Sequence, residues 1–168
     1  QAWYPYRTDS PVNISDQSGG YADFDLLYAT ARGRYDQAIN LRFNHRMAKV
    51  EVTLAAGDDI TEEELDGATV KIYGVWEVKF IDGSVNPKES TYGEIKPYHD
   101  GATKKFEAVM APQNTTGKVL IEIGIGGKTF TYTPDTEAVG KLEAGKRYAY
   151  TITVKAGGID VQAVSSGT

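Results

Sequence analysis

Few side chains in this chain are of the kind that make or break bonds. It has no cysteine and only two histidines, His45 and His99. Disulfides and thiolate metal sites are excluded, and a thiolate nucleophile with them. No serine stands in a Gly-x-Ser-x-Gly elbow. His45 falls among alternating apolar residues, which favours a packed histidine with a backbone hydrogen bond over an acid–base group. His99 lies beside Asp100 in a loop-like stretch. A carboxylate pair acting on glycans depends on tertiary geometry that spacing does not encode, so it stands as the one hydrolytic alternative.

Other motifs have plainer readings. Gly124-Ile125-Gly126-Gly127-Lys128-Thr129 ends like a phosphate-binding loop, but Glu122 occupies the position of the required first glycine. A Thr/aromatic strand pattern follows instead of a helix, so Gly126-Gly127 reads as a hairpin turn. Asp58, Asp59, Glu62, Glu63, Glu64 and Asp66 lack the spacing of a calcium loop. Thr61 and Glu64 match a capping box, and acids suit a first helical turn. Asn13-Ile14-Ser15 and Asn114-Thr115-Thr116 match the glycosylation sequon and fall in expected turns. Trp3, Tyr4, Tyr6, Tyr92 and Tyr98 would either stack on sugars or cover a sheet edge, and burial area favours the second.

Composition narrows the classes further. The chain has 168 residues, 18 basic and 23 acidic, for a net charge of −5. That length suits one domain, or one domain with an appendage. No basic excess draws it to nucleic acid or anionic lipid. No apolar run reaches the ~20 residues that span a bilayer. The start, Gln1-Ala2-Trp3, is neither a signal peptide nor an initiator methionine, so the chain is expected to be processed or cut from a longer one.

The elements that position these residues are strands. From Ile39 to Leu54 apolar and polar residues alternate, the mark of a strand with one dry face. Ile39, Leu41, Phe43 and His45 are odd, whereas Ala48, Val50, Val52 and Leu54 are even. The strand must therefore bend or bulge near Arg46 and Met47, which suggests two packed sheets. One short helix follows Thr61 and stops at Gly67. Val70 to Phe80 reads as one long strand, Asp82-Gly83 as a hairpin turn, and residues 84 to 104 as a long, partly irregular connection. Phe106, Ala108 and Met110 form a strand ended by Pro112, and Asn114 to Gly117 a turn. Val119 to Ile125, Phe130 to Tyr132, Tyr148 to Val154 and Ile159 to Ala163 complete the set, with Gly157-Gly158 before the last. Residues 1–34 form a lead segment with turns at Asp9-Ser10-Pro11 and Gln17-Ser18-Gly19-Gly20, and 35–168 a β-sandwich domain. Some seven to nine antiparallel strands in this order make a Greek-key sandwich.

Several of these segments match a known pattern. Asp25-Leu26-Leu27-Tyr28-Ala29 and Leu41-x-Phe43-x-His45-Arg46-Met47-Ala48-Lys49-Val50 resemble the fimbrillin-like (Mfa-like) proteins of anaerobic Gram-negative gut and mouth bacteria. So do Phe106 to Gln113, Gly127 to Tyr132, and Leu142-x-Ala144-Gly145-Lys146-Arg147-Tyr148-x-Tyr150-x-Ile152-x-Val154. The likeness covers most of residues 25 to 161, and Trp3-Tyr4-Pro5-Tyr6 resembles a segment late in that family's first domain. The resemblance implies transthyretin-like sandwiches, export as a lipoprotein precursor, and a place in a fimbrium at the cell surface, associated with the outer membrane. It implies a non-enzymatic pilus subunit (stalk, tip or anchor) with no cofactor, whose partners are other pilus subunits joined by strand exchange. Ile159, Val161 and Ala163 lie in the segment that strand exchange would use, although Val161 to Thr168 lacks the longer apolar tail of a donor strand. The alternative is a surface glycan-binding module, secreted or surface-held, with Trp3, Tyr4, Tyr6 and Tyr98 stacking on a host or bacterial glycan.

Overall fold

A computed structural model describes residues 1–7 and 10–167, so Asp9 of the first expected turn and Thr168 lie outside the described residues. The strands of the first half are β1 (Ala2–Tyr4), β2 (Val12–Asn13), β3 (Leu27–Ala29), β4 (Asn44–His45), β5 (Ala48–Ala56), β6 (Thr69–Val75), β7 (Glu77–Ile81) and β8 (Ser84–Pro87). Those of the second half are β9 (Tyr92–Ile95), β10 (Tyr98–His99), β11 (Lys105–Met110), β12 (Gln113–Asn114), β13 (Ile121–Ile125), β14 (Lys128–Tyr132), β15 (Lys141–Leu142), β16 (Lys146–Lys155) and β17 (Gly158–Gly167). Among the described residues two short α-helices, α1 (Glu62–Asp66) and α2 (Glu137–Gly140), and two 3-10 turns, Ala22–Phe24 and Glu89–Thr91, interrupt them.

The protein is an all-β sandwich. A five-stranded sheet, ordered β10-β11-β5-β16-β17, and a four-stranded sheet, ordered β14-β13-β6-β9, form the two layers. Val50, Val52, Tyr150 and Ile152 of the first share one hydrophobic cluster with Ile72, Ile95, Ile121 and Ile123 of the second. Each of these side chains contributes about 1.5–3 kcal/mol by leaving water. Three smaller sheets, β1-β3-β4, β2-β7-β8 and β12-β15, close the margins. Val12, Ile14 and Leu26 from the lead segment belong to the same cluster.

The parity change at Arg46 and Met47 is a real break: β4 ends at His45 and β5 starts at Ala48. The even set Ala48, Val50, Val52 and Leu54 is buried as expected. The odd set is not. Ile39, Leu41 and Phe43 lie outside any strand and are 51%, 43% and 40% exposed. The expected long strand from Val70 to Phe80 also breaks, at Trp76, where the chain leaves the four-stranded sheet for the β2-β7-β8 sheet. Residues 84–104, read as a long, partly irregular connection, carry the short strands β8, β9 and β10 before an irregular stretch at 100–104. These strands are two to four residues long and are held by tertiary pairing more than by local pattern.

One pairing departs from the antiparallel expectation. β5 and β16, the two central strands of the larger sheet, run parallel, with Val50 opposite Tyr148 and Leu54 opposite Ile152. Parallel neighbours need a long crossover, which the intervening strands supply. Two helices form where one was expected. α1 starts with the capping box: the Glu64 amide donates to Thr61 Oγ1 at 3.2 Å and the Thr61 amide donates to Glu64 Oε2 at 2.8 Å. α2 has no side-chain cap and was not legible. Asp82-Gly83 and Gly126-Gly127 are two-residue hairpin turns with all four φ angles positive, as such turns require. The last hairpin turns at Ala156-Gly157, one residue earlier than read, since Lys155 pairs with Gly158.

Candidate assembly and binding surfaces

The longest open edge belongs to β17. It pairs with β16 through ten residue pairs on one side and, among the described residues, with no strand on the other. Ile159, Val161 and Ala163 point inward, half-buried against the core. Asp160, Gln162 and Val164 alternate with them and are exposed. The segment expected to take part in strand exchange therefore sits as an edge strand of its own sandwich. A groove of about 200 Å³ runs beside it, between Ala138 and Val139 of α2 and Tyr148, Tyr150 and Ala163. Such an edge offers unpaired N–H and C=O groups to an added strand.

The aromatic residues divide between places. Trp3 in β1 packs its ring 4.7 Å from Tyr28 and 5.5 Å from Phe80 (centroid to centroid) and lies against the core. Tyr6 is 84% exposed. Trp3, Pro5 and Tyr6 with Leu26 and Phe80 line a cleft of about 480 Å³, edged by Arg7 and Ser10. Tyr4 is exposed and does not line it. Tyr98 lies elsewhere, in β10, edge-on to Tyr21 at 6.0 Å. The fold thus brings together two of the four aromatics expected to stack on sugars.

Several ionisable groups are paired with one another. His45 Nδ1 lies 2.9 Å from Asp25 Oδ1, a side-chain partner where a backbone one was expected. Lys49 Nζ lies 2.9 Å from Glu107 and 3.3 Å from Glu51, and donates to Tyr21 Oη at 3.1 Å. Burial opposes the Lys49 charge, but the hydrogen bonds to Tyr21 and Glu107 outweigh it and raise its pKa above the usual lysine range. Burial likewise pushes the Glu51 carboxyl up, yet the Lys49 hydrogen bond and the charges of Lys105, Lys49 and Arg147 hold it below its ordinary value. This is the behaviour of a network that ties β11, β5 and β16 together across the sheet face. His99 stacks on Phe106 at 4.1 Å, and its Nε2 lies 2.6 Å from the Thr103 carbonyl. Among the described residues no three His, Asp or Glu side chains converge as metal ligands.

Both sequon asparagines have structural partners. Asn13 Oδ1 accepts from the Ser15 amide at 2.8 Å, and Asn114 Oδ1 from the Thr116 amide at 3.0 Å. These are side-chain-closed turns. The Gly126-Gly127-Lys128 stretch is the β13–β14 turn, and Lys128 Nζ donates to the Ala156 carbonyl at 3.0 Å.

Comparison with known proteins decides the family. The fimbrillin-like family model matches residues 1–168. The chain belongs to the fimbrillin-like family. It is 28% identical to the "Putative fimbrium subunit Fim1C" of Bacteroides uniformis over 177 residues, covering 95% of this chain and 58% of that protein. The chain thus spans under two thirds of that relative. A crystal structure described as "a putative cell adhesion protein" from Bacteroides uniformis matches with a TM-score of 0.82 at 26% identity, over 98% of this chain and 70% of that one. The tip fimbrial protein Mfa3 of Porphyromonas gingivalis, with C-terminal truncation, shares the fold alone: TM-score 0.54 at 13% identity, over 88% of this chain and 62% of that one. The fimbrillin-like sandwich is therefore common to proteins with fimbrial and adhesive descriptions.

Proposed function

We propose that this chain is part of a non-enzymatic fimbrial subunit, displayed at the cell surface in association with the outer membrane, that joins its neighbours by strand addition. One observation carries the reading: β17 is a ten-residue edge strand with an apolar inner face and a free outer ladder. Each backbone hydrogen bond made to an incoming strand contributes about 0.5–1.5 kcal/mol, and each well-buried Ile or Val about 1.5–3 kcal/mol. Several of them in one strand outweigh the ordering cost of association. In this reading residues 1–34 are the closing part of a preceding domain, and 35–168 form the subunit body. Export as a lipoprotein precursor belongs to the same reading. Negative-stain microscopy and size analysis of the full-length, protease-treated protein test it. Ordered filaments or ladders support assembly, and strictly monomeric behaviour at every concentration removes the pilus role.

The cleft at Trp3 and Tyr6 supports a second reading, a surface glycan-binding module. Its lining of aromatic faces with Arg7 and Ser10 at the edge suits a sugar ring. Tyr6→Ala is the cleaner probe, because Trp3 also supports Tyr28 and Phe80. Glycan-array binding lost in Tyr6→Ala and retained in Tyr98→Ala favours this reading, and a blank array removes it.

A further inference from the structure

The alternation of Ile39, Leu41 and Phe43, which makes no strand, marks an arm. β3 and β4 pair with Leu27 opposite His45 and Tyr28 opposite Asn44. Stepping that register outward sets Gly33 opposite Ile39. The two are in fact close: a Cβ on Gly33 would lie 2.8 Å from Ile39 Cγ1. The tip closes where the Gln37 amide donates to the Arg34 carbonyl at 3.2 Å. Residues 30–43 therefore extend the β3–β4 hairpin beyond its last ladder pair. Ile39, Leu41 and Phe43 are exposed along one leg and Tyr35 is fully exposed at the tip. A row of exposed apolar side chains on one extended segment marks an interaction site.

Charge and position identify the partner. The arm carries Arg32, Arg34 and Arg42 against Asp36, a net of +2, whereas the remaining residues hold 15 basic and 22 acidic side chains, a net of −7. The arm is thus complementary to the body of its own chain. The most suitable part of that body is a cleft of about 340 Å³ beside α1. Its apolar surface comes from Ile60, Ile125 and Phe130, and its rim carries Asp59, Glu63 and Glu64 as well as Lys128 and Lys155. Lys155 pairs with Asp160, Lys128 donates to the Ala156 carbonyl, Asp59 accepts from the Ala156 amide and Glu64 closes the capping box with Thr61, so three acids face two lysines on the rim and Glu63 is the acid best placed for an incoming arginine. Arm and cleft lie at opposite ends of β5, whose nine residues span about 30 Å at ~3.3 Å each. An arm cannot reach the cleft of its own body across that distance while it remains rooted at β3 and β4.

We propose that the arm seats Ile39, Leu41 and Phe43 in the acid-rimmed cleft of a second copy of this chain. The contact is heterologous, head to tail, and donor and acceptor lie at opposite poles, so it repeats along an axis instead of closing a symmetric dimer. It is separate from strand exchange, since β17 keeps its place on β16.

The absence of cysteine gives a clean background for the test. Protein carrying Tyr35→Cys is mixed with protein carrying Glu63→Cys and oxidised, and self-association of the unmodified chain is followed by sedimentation. The expected results are a mixed disulfide dimer and concentration-dependent association. The triple change Ile39→Ser, Leu41→Ser, Phe43→Ser weakens that association at least tenfold and leaves thermal unfolding in place, because these positions are exposed. Arg42→Glu weakens it too, and a chain that also carries Glu63→Arg regains it. Locking β17 to β16 with the cross-strand pair Thr151→Cys, Gln162→Cys blocks strand exchange, and the arm contact persists. Association lost in the locked protein would assign the contact to strand exchange and overturn the proposal. So would a monomer at all concentrations, Tyr35→Cys dimers that form only arm to arm, or a monomer whose Arg32 and Arg34 already resist trypsin.

Discussion

The Gln17 side chain holds the Val109 peptide from both ends. Its Nε2 donates to the Val109 carbonyl at 2.7 Å and its Oε1 accepts from the Val109 amide at 2.8 Å. β10 pairs with β11 only at Glu107 and Phe106, and Pro97, next in register, has no N–H to continue the ladder. Gln17 replaces the missing strand with an amide and is fully buried. Gln17 Nε2 also donates to the Ile14 carbonyl at 3.1 Å, so Gln17→Leu takes the partner from three buried backbone groups, and unfolding in urea should show a loss of about 3 kcal/mol. A loss below ~0.5 kcal/mol would mean that water takes over the role.

Glu51 governs the acid side. Its folded pKa is depressed, chiefly through Lys49 and the Lys105 and Arg147 charges set against burial. Stability from this group is present above the unfolded value of about 4.3 and fades as pH falls through the lower folded value. Denaturation curves of Glu51→Gln should show a shallower acid slope than the parent. Lys49→Met leaves Glu51 with Lys105 and Arg147, and Glu107 with Lys105, so it should cost about 1 kcal/mol at neutral pH, less than breaking an isolated buried pair. An unchanged midpoint would show that the network is ornamental to stability.

On the alkaline side, Tyr92 is the group to follow. Burial pushes its hydroxyl up to about 12 while it donates to the Val119 carbonyl at 2.8 Å. The folded state holds this proton longer than the unfolded state, whose tyrosine ionises near 10. Stability is complete below about 10 and falls as pH rises towards 12. Tyr92→Phe should flatten that fall, and ultraviolet titration should lose a late-ionising tyrosine. A Tyr92 that ionises near 10, as an unburied tyrosine does, contradicts the packing described.

Hydrogen exchange should separate β17 from the sandwich centre. Ile159→Ser and Val161→Ser each remove half-buried apolar surface, at a cost of about 1 kcal/mol. Exchange should quicken along Gly158–Gly167 while β5 and β11 keep their protection. Equal loosening in all three strands would make β17 an integral part of the core and a poor candidate for exchange.

Legibility followed the range of the interactions. The turn at Asp82-Gly83 and the break at Arg46-Met47 are written locally, one in positive φ preferences and the other in side-chain parity. Ile39, Leu41 and Phe43 carry the same alternation as β5 yet stay in solvent, because periodicity states that one face is apolar and not what covers it. Gln17 reads as turn chemistry beside Ser18 and Gly19, and its partner lies 92 residues away. α2 is held by tertiary contacts, with Asn114 Nδ2 donating to Glu137 and Tyr150 Oη donating to the Val139 carbonyl. Trp3 and Tyr6 are neighbours in the sequence and in the cleft, whereas the separation of Tyr98 from them follows from sheet order alone.

The ten-pair antiparallel run of β17 along β16 carries a mechanical consequence. Gly167 at the end of β17 pairs with Lys146, at the same pole where β5 begins. Traction applied outward at Gly167 pulls along the strand axis, so the ten rows between β17 and β16 resist together in shear. Drawn sideways, the same rows would open one by one, like a zip. The β16–β17 pairing would therefore bear tension along the strands far better than tension across them.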